Sequence, residues 1–156
     1  MERTLLLLKP DALKRRLVGR IIQRLEDKGL DIVGVKMMQL TEEVLAEAYE
    51  AHREKSFYRP LLEFMQSGPV VVIALEGRDA VAAVKKMTGA TFGWKAEPGT
   101  IRGDLTLDQR ANLVHAPDTE DAAQRELALF FKAEEIFPWP KEDLKWIYHL
   151  EEGEKP

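Results

Sequence analysis

"SGPVVVIALEG", residues 67–77, sets six apolar residues in a row between a Ser-Gly-Pro turn and a glycine. No polar residue alternates with them, so a strand here has both faces covered and lies inside a sheet. Working back toward the N-terminus, Thr4 to Leu8 is a second apolar strand, stopped at Pro10, which has no N–H for a ladder. Val18, Ile21, Ile22 and Leu25 recur at helical spacing, and Gly29 ends that helix. Ile32 to Leu40 alternates in its first half and reads as a strand. Thr41 opens a helix over 42–51, and a further helical piece runs from Pro60 to Gln66.

Working forward from residue 77, Asp79 is placed to cap a helix with Val81, Val84 and Met87 inward. Residues 88–110 show no clean period, and long irregular segments in compact domains are often functional. Ala111 to Val114 reads as a short strand. Asp118 is the expected N-cap of a helix from Thr119 to Phe131, with Glu120 and Asp121 suiting the dipole of its first turn. The order is β-α-β, extra helices, then β-α-β-α. Two such halves predict an α/β (α+β) chain of ferredoxin-like βαββαβ type: a four-stranded antiparallel sheet with helices on one face, then a C-terminal helix and a tail over 132–156. Residues 1–156 read as one domain without linker, repeat or low-complexity segment.

The net charge of −4 argues against a general grip on nucleic acid or an anionic membrane. The basic cluster Lys14, Arg15, Arg16, Arg20 and Arg24 reads as a solvated helix face. With no cysteine, thiolate catalysis, disulfides and cysteine-held metal are excluded. The four leucines before Lys9 and Pro10 are too few for a signal peptide or a membrane span, so the expected location is cytoplasmic.

No Gly-rich phosphate loop of either common type occurs, and no Gly-x-Ser-x-Gly elbow. The three histidines, His52, His115 and His149, are too scattered for a zinc pair. His115 stands where a short strand gives way to a helix start, a place whose amides favour anions. A neutral imidazole is a nucleophile near pH 7, and Glu126, two turns along, is a candidate to fix its tautomer. A satisfied core histidine explains this local pattern equally well. "EPGTIRGDL" adds Thr100, Arg102 and Asp104 around two glycines, beside Thr91 and Lys95; arginine and threonine donate to phosphate oxygens, and an ordinary polar turn is the plainer reading.

Jointly, "ERTLLLLKPDAL" with "LVGRII", "SGPVV", "PGTIRGD" and "NLVHAPD" resemble the nucleoside diphosphate kinase family over nearly the whole chain. The resemblance implies ping-pong transfer of a terminal phosphoryl group from a nucleoside triphosphate such as ATP to a nucleoside diphosphate. His115 matches the nucleophile, Glu126 the acid that orients it, and Tyr49 the tyrosine that supports the reacting phosphate. Lys9 matches a contact to phosphate and the ribose hydroxyl, Asn112 a nucleotide-contacting asparagine, Thr91 and Arg102 match phosphate contacts, and Phe57 matches the aromatic that stacks on the base. The resemblance also implies magnesium carried by the nucleotide phosphates, no protein-held metal, and a homohexamer, with a homotetramer as the alternative.

Two departures bear on activity, and a third on the base entrance and subunit contacts. Lys85 stands where the family has arginine, so the bidentate fork is lost, with Lys86 the substitute in a shifted register. Ala116 and Pro117 follow the histidine where glycine and serine are usual, and Phe92 and Gly93 replace asparagine and proline. A nucleotide-binding scaffold with weak or no transfer is therefore the competing reading.

Overall fold

The computed structural model describes residues 1–151; the last part of the expected domain and tail, residues 152–156, lies outside them. Four strands, β1 (Glu2–Leu8), β2 (Asp31–Met38), β3 (Val70–Gly77) and β4 (Val114–His115), form one sheet in the order β2-β3-β1-β4, every pairing antiparallel. This is the expected ferredoxin-like arrangement, with the two apolar runs at its centre. Eight helices complete the described chain: α1 (Pro10–Lys14), α2 (Val18–Asp27), α3 (Glu42–Ala48), α4 (Tyr58–Gln66), α5 (Ala80–Thr88), α6 (Ile101–Leu105), α7 (Glu120–Phe130) and α8 (Leu144–Ile147).

The sheet is covered on both faces, which corrects the one-face expectation. The crossover helices α2 and α5 pack Ile21, Leu25, Ala80 and Val84 against Leu6, Leu8, Ile73 and Leu75. Helices α3, α4 and α7 bring Leu45, Met65 and Phe130 onto Leu5, Leu7, Val72 and Ala74. The cause is the unbroken apolar character of β1 and β3: each presents large aliphatic side chains on both faces, and one layer of helices leaves half of them wet.

Local signals held in some places and shifted in others. Pro10 opens α1, where its missing N–H is no loss. Thr41 caps α3 through Oγ1, but that helix ends at Ala48 and gives way to a 3₁₀ turn over Glu50–His52. Asp79 has φ 48° and makes no side-chain cap; Glu2 Oε2 takes the Val81 N–H instead, at 3.2 Å. Thr119, one residue past the expected cap, accepts from Ala122 N at 3.2 Å, which leaves the Asp118 carboxylate to pair with Lys85. The last strand begins at Val114 rather than Ala111, because Leu113 has φ 72° and breaks the extended run.

Candidate active site

His115 ends β4 opposite Leu7 of β1, its side chain about a third exposed. The Thr119 cap fixes where α7 starts, and Glu126 then lies beside the ring, Oε2 2.7 Å from Nε2. A carboxylate accepts a proton-bearing Nε2, so the neutral imidazole carries its lone pair on Nδ1. The Tyr49 ring stands edge-on to His115 at 6.2 Å between centroids. Burial, and then the charge of Glu126, push the Tyr49 phenol up, so it keeps its proton and remains a donor.

Around this pair opens a cleft of about 530 Å³, and all nine side chains singled out in the sequence line it: Lys9, Tyr49, Phe57, Lys85, Thr91, Arg102, Asn112, His115 and Glu126. Lys9, directly after β1, is buried with Nζ 2.6 Å from Asn112 Oδ1. Burial and the charge of Arg102 bring its pKa down to about 8, against an opposing pull from Asp11. Asn112 gives both Nδ2 hydrogens to backbone carbonyls, those of Thr91 and Gln109, each at 2.9 Å. Its free capacity is the second lone pair of Oδ1.

Arg102 is also committed to the protein. Nε, Nη1 and Nη2 donate to the carbonyls of Asn112 (3.2 Å), Gly89 (3.0 Å) and Val114 (2.7 Å). A guanidinium has about five N–H bonds, so two remain for an anion in the cleft. Burial lowers its pKa and Asp118 opposes the shift, yet an arginine stays charged at any physiological pH. Lys85 forms an ion pair with Asp118 at the mouth, and Phe57, 42% exposed, offers its ring face with Lys55 Nζ 5.6 Å from the centroid.

Not every polar residue of "EPGTIRGDL" reaches the cleft. Thr100 caps α6 by accepting from Gly103 N at 3.0 Å, and Asp104 accepts from Arg24 Nη2 at 2.6 Å. Lys95 lies over the Phe92 and Trp94 rings, 5.1 and 4.7 Å from their centroids. Gly103 is required for packing, since a Cβ there would collide with the Glu97 carbonyl. Among the described residues, no three His, Cys, Asp or Glu side chains gather as a metal cage.

A family model for nucleoside diphosphate kinase matches residues 2–136. The chain belongs to the nucleoside diphosphate kinase family. The nucleoside diphosphate kinase of Methanothermobacter thermautotrophicus is 47% identical over 148 residues, covering 95% of this chain and 99% of the relative. That of Rhodopirellula baltica is 53% identical over 136 residues, 87% of this chain and 90% of the relative. The structure of a halophilic nucleoside diphosphate kinase from Halobacterium salinarum in complex with CDP superposes with a TM-score of 0.92 at 45% identity, covering 94% of this chain and 98% of that one.

Against the nucleoside diphosphate kinase pattern, the two departures can now be located. Lys85, not Lys86, lines the cleft, so the register needs no shift. Pro117 is buried beside Ala116, and its ring fixes φ just ahead of the Thr119 cap. Sequence reasoning passed over His52. Its ring lies between those of Tyr49 and Phe57, 6.4 and 5.4 Å away, and its buried Nδ1 has no hydrogen-bond partner among the described residues. The available signal was its place three residues after Tyr49, where a helical turn brings both onto one side.

Proposed function

We propose that this family member transfers the terminal phosphoryl group of a nucleoside triphosphate to a nucleoside diphosphate through phosphorylated His115. The observation that carries the reading is the 2.7 Å contact between Glu126 Oε2 and His115 Nε2, which makes Nδ1 the nucleophile. In the first half-reaction Nδ1 attacks the γ-phosphorus: the N–P bond forms, the bond to the β-γ bridging oxygen breaks, and the diphosphate leaves with the electron pair. Nε2–H stays on Glu126, which balances the positive charge of the phosphorylated ring. In the second half an oxygen of the incoming diphosphate attacks the same phosphorus and His115 leaves with its lone pair. The free N–H groups of Arg102, with Thr91, Lys85 and the Tyr49 hydroxyl, suit the oxygens of the moving group.

Lys9 and Asn112 suit the ribose hydroxyls and nearby phosphate, and Phe57 offers a ring that any base can stack on. Magnesium enters as part of the substrate, bound to the nucleotide phosphates. Residues 1–156 act as one cytoplasmic domain in this proposal, assembled as a homohexamer, with a homotetramer as the alternative. No described helix is long and apolar enough to cross a membrane. Val35 and Met37 on the edge strand β2, 51% and 64% exposed, support burial against another copy. The scaffold alternative rests on Lys85 and Pro117, and the gathering of seven further side chains around the His115–Glu126 pair supports transfer over it.

The test is incubation with γ-labelled triphosphate, then chase with unlabelled diphosphate. Acid-labile label on His115 that passes to the diphosphate is expected, and His115→Ala should lose it while still binding diphosphate by calorimetry. Substantial transfer by that variant overturns the reading. Light scattering checks the assembly, and a stable monomer would count against it.

A further inference from the structure

The turn leading into the histidine is strained at its central residue. Leu113 has φ 72°, and Val114 N donates back to Asn112 O at 2.8 Å. A bond from residue i+2 to residue i around a positive-φ centre is the rare, strained form of the γ-turn. Leu113 is a fully buried leucine, with no glycine-like freedom, so its surroundings must hold it there. Lys9 N donates to Leu113 O at 2.8 Å, and Arg102 binds the carbonyls on either side, those of Asn112 and Val114. The fourth contact comes from Asp11, whose Oδ2 accepts from Leu113 N at 3.1 Å.

Lys9 and Arg102 line the cleft; Asp11 does not. Its carboxyl is nonetheless kept out of water, and Oδ1 is buried without a hydrogen-bond partner among the described residues. Burial raises its pKa, opposed by the Leu113 N–H and the charge of Lys9. A carboxylate held in this way costs free energy unless it secures something. What it holds is the turn two residues before His115.

We propose that Asp11 is a positioning residue for phosphoryl transfer: by accepting from Leu113 N, its carboxylate holds the strained turn that sets His115 in the cleft. The proposal rests on the reading of His115 as nucleophile. Loosening the turn moves His115 more than the nucleotide contacts. Asn112 has three side-chain bonds of its own, to Lys9, Thr91 and Gln109. His115 instead follows the turn directly, on a strand of two residues. A displacement on the order of 1 Å at the reacting atom costs about a hundredfold in rate.

The experiment measures diphosphate affinity by calorimetry and the rate of His115 phosphorylation by rapid quench, on wild type, Asp11→Ala, Asp11→Leu, Asp11→Asn and Leu25→Ala. Leucine fills the aspartate's shape without an acceptor and serves where the alanine variant does not fold. Asparagine keeps an acceptor oxygen. Leu25→Ala, in the core away from the cleft, controls for lost stability. The expected result is phosphorylation slowed about a hundredfold in the alanine or leucine variant. Diphosphate affinity should stay within about threefold, asparagine should restore the rate to within about tenfold, and Leu25→Ala should phosphorylate at the wild-type rate. Wild-type rates in the acceptor-free variants overturn the proposal. So do equal losses in rate and affinity, an asparagine variant as slow as leucine, or the same slowing in Leu25→Ala. A wild-type protein that takes no phosphate on His115 overturns the functional reading with it, an outcome distinct from all of these.

Discussion

At the scale of residues, the cleft sets two charged side chains under different constraints. Lys9 is the buried one, with a pKa lowered to about 8 by burial first and Arg102 second. Raising the pH through that value removes its proton and with it the attraction for a nucleotide phosphate. The expected result is a kcat/KM that falls about tenfold per pH unit above pH 8, because this quantity reports the free enzyme. Lys9→Gln should be lower by about ten- to a hundredfold at pH 7 and lack the fall, since a charged hydrogen bond contributes about 1.5–3 kcal/mol. A pH–rate profile of both proteins checks this. Lys85, paired with Asp118 on the surface, is the other case. Exposed ion pairs contribute about 0–1 kcal/mol, so Lys85→Ala should leave the denaturation midpoint nearly unchanged while raising KM for the diphosphate about tenfold or more. Both lysines, along with the other seven, came forward through the resemblance to the family, and the structure gathers all nine at one cleft. Asp11 was not legible, and His52 gave only the faint signal of its spacing from Tyr49. Asp11 acts on a backbone N–H more than a hundred positions away in the chain, which no local pattern encodes, and His52 lies in a turn without a motif of its own.

At the scale of elements, the start of α7 links folding to the site. Thr119 supplies the cap, and the helix it begins carries Glu126 to His115. Thr119→Ala should lower stability by about 1 kcal/mol through the lost cap. It should also slow His115 phosphorylation, as the first turn frays and Glu126 loses its fixed distance; quench kinetics beside denaturant unfolding check both. Sequence reasoning put this helix in the right place and its cap one residue early, since Asp118 and Thr119 are both good caps and only tertiary context separates them. Asp118 is drawn to Lys85, leaving the hydroxyl to the helix. Asp79 shows the same competition: a carboxylate from β1, that of Glu2, reaches the α5 amide that a local cap would have taken. The short β4 was misjudged for another reason. "ANLV" has strand composition, but the turn at Leu113 is imposed by Asp11, Lys9 and Arg102, all distant in sequence.

At the scale of the whole molecule, the C-terminal segment closes the sheet edge. β2 carries a bulge between Ile32 and Gly34, and the carbonyls turned outward there accept from Phe137 N at 2.7 Å and Trp139 Nε1 at 3.2 Å. Beyond them Lys141, 6% exposed, lies 2.6 Å from Asp31 and 2.7 Å from Glu76, which also holds Arg3 at 2.6 Å. Tail aromatics and charges gave no periodic signal in the sequence, because their partners are carbonyls and carboxylates of strands formed earlier in the chain. For Glu76, burial raises the pKa, but the bonds from Lys141 and Arg3 outweigh it and the net shift is downward. For Lys141, burial lowers it, and the bonds to Asp31 and Glu76 turn the net shift upward. A depressed carboxylate contributes stability above its unfolded pKa and loses it as pH falls through the folded value; a raised lysine contributes below its unfolded pKa and loses it as pH rises through the folded one. The clamp is therefore at full strength between roughly pH 5 and 10. Lys141→Met keeps the aliphatic stem and leaves the buried Asp31 carboxylate facing the half-buried Glu76, so it should cost about 2–4 kcal/mol at pH 7. The difference from wild type should shrink near pH 3, where the carboxylates take up protons and no longer repel. Denaturant unfolding of both proteins at the two pH values decides it: a difference that stays constant with pH would mean that the stem, not the charge, holds the tail.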